Sequence, residues 1–345
     1  MFKRVSGVLQ KRCIGVSRMY QPGFAVYIAL CMQGVAVGFL DYVKFRFFSE
    51  KPNSTNRDKF VQFVDASGKP ILIHKNEYRK NILPSLFVKE WNSPDSLYQL
   101  IIGTLDDGLN EECLNPARRL VEIDTNAERS HTVLGIALNK NCKYAEAEEF
   151  FKAYITKHGE SAAMLCNLAK SYSFQNQADL AMQTLWRSLE LDPNISNSVG
   201  WYAAIEEERG GKNAYLDALE KISKLPGSWH ADLWIARQLI ENGKLDEALA
   251  RYSKAFRTSD NASEALFMAS GDLGKNGHAR KVVDLIAPLY SFQQHGYKPA
   301  MNLMQAYVEL KDRENGLRLL RDLRALNRPD LITHLDYFDD ALRHA

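Results

Sequence analysis

The stretch HTVLGIALNKNCKYAEAEEFF, His131 to Phe151, decides the fold. It reads as two short helices joined by a tight turn, with a small residue, Gly135, in the first and a large one, Phe151, in the second. The same pattern returns along the chain. Stepping from Leu134-Gly135 gives Leu168-Ala169, Tyr202-Ala203, Ile235-Ala236, Ala269-Ser270 and Leu303-Met304, at intervals of 34, 34, 33, 34 and 34 residues. Self-similarity at such a period marks a repeat architecture, in which each unit buries its apolar face against its neighbours.

Other columns keep this spacing, and each has a physical reason. Ala147, Ala181, Tyr215, Ala248, Val282 and Gly316 form a mostly small column on the second helix, allowing close approach across the helix pair. Phe151, Leu185, Leu219, Tyr252, Ile286 and Leu320 form the large column that fills the space so left, since interiors pack with few voids. Cys142, Asn176, Gly210, Gly243, Gly277 and Lys311 mark the turn, where helix C-termini commonly adopt a left-handed residue. Asp192-Pro193-Asn194 and Leu225-Pro226-Gly227 separate one copy from the next.

These residues resemble the tetratricopeptide repeat family, most clearly in Leu134-Gly135…Ala147…Phe151 and in Asn167-Leu168-Ala169…Tyr172…Ala181…Leu185…Pro193. The resemblance covers six copies over residues 128–329. It implies an all-α, right-handed α-α superhelix and a protein- or peptide-binding role. The third copy departs most: it is one residue short, with Glu206 and Tyr215 at positions that usually hold Leu or Tyr and Ala, so a local irregularity is expected there. A degenerate helix pair with Leu97, Leu100 and Leu120 as apolar contacts is expected over 94–127. A capping helix using Leu331, Leu335, Tyr337, Phe338 and Leu342 is expected over 330–345.

Upstream the chain changes character. Residues 1–22 are basic: Lys3, Arg4, Lys11, Arg12 and Arg18 occur with no acid. Residues 23–40, GFAVYIALCMQGVAVGFL, contain no charge and one polar side chain, Gln33. At 18 residues the run sits near the lower bound for a transmembrane helix, and it is read as a candidate single-pass anchor. A buried helix of a cytoplasmic protein and an organellar targeting peptide are the other readings. Lys44, Arg46, Lys51, Arg57 and Lys59 balance the preceding cations, so orientation is undecided. Residues 41–93 read as a linker at 49–58, a small β-hairpin from Lys59 to His74, and a helix over 76–90 interrupted by Pro84, together a cap for the array.

Composition excludes several functions. The whole chain carries a net charge of +2, but beyond the five N-terminal cations 39 basic face 42 acidic residues, a net of −3. No long Lys/Arg run follows residue 40, which argues against nucleic acid as partner. Five widely spaced cysteines without a CxxC pair indicate neither a disulfide framework nor a zinc site. The eight histidines show no metal-ligand spacing and no GxSxG elbow occurs. Gly271-Asp-Leu-Gly-Lys-Asn-Gly lacks the order of a phosphate loop and falls on a repeat turn. Neither enzymatic activity, nor a cofactor, nor a metal is expected.

In the family that the repeats resemble, first helices line a concave groove. Its stripes would be Ile136, Lys170, Ala204, Arg237, Gly271 and Gln305; Thr132, Cys166, Gly200, Leu233, Phe267 and Met301; and Asn139, Ser173, Glu207, Ile240, Gly274 and Val308. The mixture has no dominant charge. Asn167 and Lys170 fit part of the family's carboxylate clamp, but Thr132 and Ile136 do not complete it. Candidate partner-binding residues are Asn139, Asn167, Lys170, Arg237, Phe267 and Gln305. The expected function is an interaction scaffold for a protein or peptide. The alternative is a structural accessory subunit of a membrane, envelope or secretion assembly.

Overall fold

The computed structural model describes residues 59–64, 70–328 and 331–344. The candidate anchor at 23–40, the basic segment before it and the linker at 49–58 lie outside the described residues. Among the described residues, no helix is long and apolar enough to cross a membrane. The chain forms two compact units, divided between Ser188 and Leu189.

The first unit opens with the expected hairpin. Strands β1 (Phe60–Val64) and β2 (Pro70–His74) pair antiparallel, with Val61 opposite Ile73. Lys75 N donates to Lys59 O at 2.8 Å and closes it. A lone hairpin is marginal in water. Here Val61 is buried in the same apolar core as Leu97, Ile101 and Leu134, and the Phe63 ring packs against Tyr78 at a centroid distance of 5.3 Å. Next come α1 (Lys75–Glu77), a π-turn (Tyr78–Ile82) and α2 (Leu83–Glu90). Pro84 does not break this helical run. It sits in the first turn of α2, where a missing N–H is tolerated, and the turn before it widens so that Leu83 N reaches Tyr78 O.

Three helix pairs follow: α3 (Pro94–Asp106) with α4 (Leu114–Ile123), α5 (Ala127–Lys140) with α6 (Tyr144–His158), and α7 (Ala162–Phe174) with α8 (Ala178–Leu191). The α3–α4 pair is the degenerate copy; Leu97 and Leu120 are fully buried and Leu100 is partly buried against the core. The column logic is visible at Gly135: a Cβ there would lie 2.0 Å from Phe151 Cζ, so the buried ring occupies the space that glycine leaves. Asn126 and Ser161 cap α5 and α7, each accepting from the backbone N–H three residues on. Arg129 ties two pairs together, donating to Asp124 and Asp95 at 2.8 and 2.7 Å. Burial alone would push the Asp124 carboxyl up; the hydrogen bonds from Arg129 and Asn126 outweigh it and hold it below the usual carboxylate range.

The second unit contains α9 (Ser196–Ile222), α10 (His230–Glu241), α11 (Leu245–Thr258), α12 (Ala262–Lys275), α13 (Ala279–Ile286), a short turn α14 (Phe292–His295), α15 (Tyr297–Glu309), α16 (Arg313–Arg324) and α17 (Ile332–Arg343). The irregularity expected in the third copy is present. Its two helices merge into α9 across a kink at Gly211. The positive-φ residue expected at Gly210 therefore falls on Gly211; the other five turn residues, Cys142, Asn176, Gly243, Gly277 and Lys311, all have positive φ. Tyr215, in the mostly small column, is half-buried, unlike the buried Ala147 and Ala248.

Helix α13 ends early at Ile286 because Pro288 follows, and the chain turns through α14 before α15 begins. Trp201, Trp229 and Trp234 are core residues; Trp234 lies where a Cβ at Gly200 would stand, 2.5 Å away. The capping helix α17 buries Leu335, Phe338 and Leu342, whereas Tyr337, expected to pack, is 58% exposed.

Candidate functional site

In the first unit the first helices α5 and α7 carry Asn139, Asn167 and Lys170. Asn139 is buried at the seam between them: its Nδ2 donates to Asn167 O at 3.4 Å and its Oδ1 accepts from Ser171 Oγ at 3.0 Å. Asn167 is buried too, with Nδ2 bonded to Ala163 O at 2.9 Å. Both amides thus hold helix to helix or helix to its own backbone, and little of either faces solvent. Lys170 is half-buried and makes no ion pair among the described residues.

In the second unit Arg237 is a strut. Its Nε donates to Asp272 Oδ1 at 2.7 Å, and Tyr252 OH donates to Asp272 Oδ2 at 3.2 Å. Burial keeps the Asp272 carboxyl above its usual range even against Arg237. An ion pair this shielded fixes α10 to α12 and leaves the guanidinium committed.

Gln305 borders an open cleft of about 260 Å³ between α12 and α15, and the Phe267 carbonyl accepts from Asn302 in its wall. Ser270, Gly271, Gly274, Lys275 and Ala279 line one side; Asn302, Gln305, Ala306 and Glu309 line the other. The floor is low because two positions of α12 lack side chains. A Cβ at Gly274 would meet nothing within 4 Å, and one at Gly271 would touch only Asn302 Nδ2 at 3.5 Å.

Asn302 Nδ2 donates to Phe267 O at 3.2 Å and to Ser270 Oγ at 2.9 Å. Both amide hydrogens are so used, and its Oδ1 is left as an acceptor at the cleft wall. Gln305 Nε2 donates to Glu309 Oε1 at 3.1 Å. Lys298 lies over the Phe267 ring at 5.8 Å, and partial burial lowers its ammonium pKa against the pull of Glu264. The cleft lining presents one ammonium, one carboxylate and neutral amide groups among mostly apolar surface, and is uncharged in sum.

A larger hollow of about 450 Å³ lies between the second helices α6 and α8, over Leu165 and Leu168. Its cations are already neutralised, Arg187 by Glu160 at 2.9 Å and Lys152 by Glu148. It therefore offers a ligand less than the α12–α15 cleft does.

Of the six candidates, Asn139 and Asn167 meet at the α5–α7 seam and only Gln305 lines the α12–α15 cleft. Asn302, Ser270, Lys275 and Glu309 were missed because their meeting depends on how α12 and α15 pack. The signal that was available is the pair Gly271 and Gly274, since glycine inside a helix costs roughly 0.5–1 kcal/mol relative to alanine.

No protein-family model matches the chain, and no curated protein does. Among solved structures, it is similar to a thermophilic TPR protein of Thermus thermophilus at 15% identity, covering 52% of this chain and 99% of that one, with a TM-score of 0.34. Yeast Tom70 matches at 13% identity, over 75% of this chain and 57% of that one, with a TM-score of 0.44. A tetratricopeptide repeat protein from Parabacteroides merdae matches at 12% identity, over 73% and 99% of the two chains, with a TM-score of 0.33. On its own spacing, turn conformations and small-to-large contacts, this chain is built of tetratricopeptide-type helical hairpins.

Proposed function

We propose that the protein is a non-enzymatic interaction scaffold whose second unit holds an extended peptide segment of a partner in the α12–α15 cleft. The observation that carries this reading is the cleft itself: a floor of two glycines walled by amide groups that can exchange hydrogen bonds with a main chain. An extended segment leaves its backbone N–H and C=O groups unpaired, and a wall with both donors and acceptors answers both.

Gly274→Leu tests it. The new side chain enters the open cleft, not the core, and replaces a glycine in the last turn of α12, so the variant should melt no lower than the parent. Peptides selected on the full chain from a random library should bind the variant at least roughly tenfold more weakly, a loss of about 1.4 kcal/mol. Unchanged affinity in a variant that melts no lower would remove the cleft from the binding surface.

A further inference from the structure

We infer that the α12–α15 cleft selects a peptide segment bearing one acidic and one basic side chain, the acid set against Lys275 and the base against Glu309. This rests on the peptide-binding reading above and names the chemistry of its ligand.

Several charges of the second unit are committed to ion pairs. Arg237 is paired with Asp272, Arg251 and Lys254 with Asp232, and Arg324 with Asp336 and Asp339. Other charges of the unit form no ion pair among the described residues, and Lys275 and Glu309 are the two of these that line the cleft. Both line one cleft, both are exposed, and neither forms an ion pair with the other or with any described residue. The recorded partner of Glu309 is the neutral amide of Gln305.

Their positions on the helices sharpen the point. Lys275 is the last residue of α12, where the negative end of the helix dipole favours a cation. Glu309 is the last residue of α15, where the same dipole disfavours an anion. Stability therefore accounts for Lys275 and not for Glu309. A carboxylate placed against the dipole, with no cation paired to it among the described residues and a cleft in front of it, suits an incoming positive charge. Between the two charges the wall is neutral: Asn302 Oδ1 accepts and the second Gln305 N–H donates, which fits the main chain linking the two side chains.

The test uses the full chain and the same random-peptide library, with Lys275→Glu, Glu309→Lys and the double exchange beside Gly274→Leu. Selected peptides should carry one acid and one base. Each single reversal should weaken them roughly fivefold, the scale of one exposed charge contact, and less at high salt. The double exchange should select peptides with the two charges in the opposite order. Glu309→Lys should also melt slightly higher than the parent, because it relieves the dipole, so weakened binding could not be ascribed to unfolding. Peptides that are lost in Gly274→Leu but indifferent to both charge reversals would overturn this inference and leave the peptide reading standing. Peptides indifferent to Gly274→Leu as well would overturn both.

Discussion

His230 shows how one side chain can couple this fold to pH. It lies at the start of α10 between Trp229 and Trp234, with ring centroids at 5.1 and 5.9 Å, and is 1% exposed. Neither ring nitrogen is hydrogen-bonded among the described residues. Burial, aided by the nearby Arg237 charge, lowers its pKa from 6.5 to about 4. Above pH 6.5 the imidazole is neutral folded or unfolded, and it leaves stability untouched. Between 6.5 and about 4 the unfolded chain takes up a proton that the folded chain refuses, so stability falls as pH falls. At about pH 4.5 this single group should cost about 2.5 kcal/mol relative to neutral pH. Denaturant titrations of wild type and His230→Leu at the two pH values measure it: the variant should lose less stability on acidification by about that amount. Equal losses would place the acid sensitivity elsewhere.

At the scale of the element, α9 is where the repeat and the backbone disagree. The other turns leave three residues between paired helices, and their left-handed position is filled by Cys142, Asn176 or Lys311 as readily as by glycine. In the third copy the two halves run on as one helical stretch kinked at Gly211, and the missing residue falls later, between Leu219 and Ile235, a step of 16 where the other copies have 17. The φ of 78° and ψ of −168° at Gly211 lie in a region essentially closed to residues with a Cβ. Gly211→Ala should therefore destabilise the second unit by roughly 1–3 kcal/mol although open space surrounds it. Gly243→Asn, in the ordinary turn column, should cost a few tenths of a kcal/mol. Thermal melts of the two variants make the comparison; a Gly211→Ala protein that melts with the wild type would refute the strain. The shortened repeat was legible from the 33-residue step, but its exact hinge was not. Spacing places the missing residue after Leu219, whereas the choice between Gly210 and Gly211 depends on which carbonyls the flanking helices leave unpaired.

At the scale of the whole molecule, each unit closes its apolar surface differently. The first is covered by the hairpin and α2, the second by α17, where Leu342 fills the space over Gly316 that a Cβ would occupy at 2.7 Å. Such covers are what stacked repeats need, because the last hairpin has no neighbour to bury its face. Location is a property of the full chain and tests residues 23–40. We propose that this uncharged run tethers the protein to a membrane. Deleting residues 1–45 should move the protein from the membrane pellet to the supernatant on fractionation. An unchanged distribution would end the anchor reading.

The repeat period, the small and large columns, five of six turn positions, the hairpin and the capping helix follow from the sequence alone. They are set by interactions within one hairpin or between adjacent ones, and such contacts recur at fixed spacing. The uses of individual polar side chains do not follow in this way. Asn139, Asn167 and Arg237 occupy groove stripes by count, yet they are consumed by seams and an ion pair. Asn302, Lys275 and Glu309 meet around Gly271 and Gly274 only because two helices pack with that offset. A side chain's partner is settled by distances of a few ångströms between elements far apart in sequence, and the tertiary structure alone decides those.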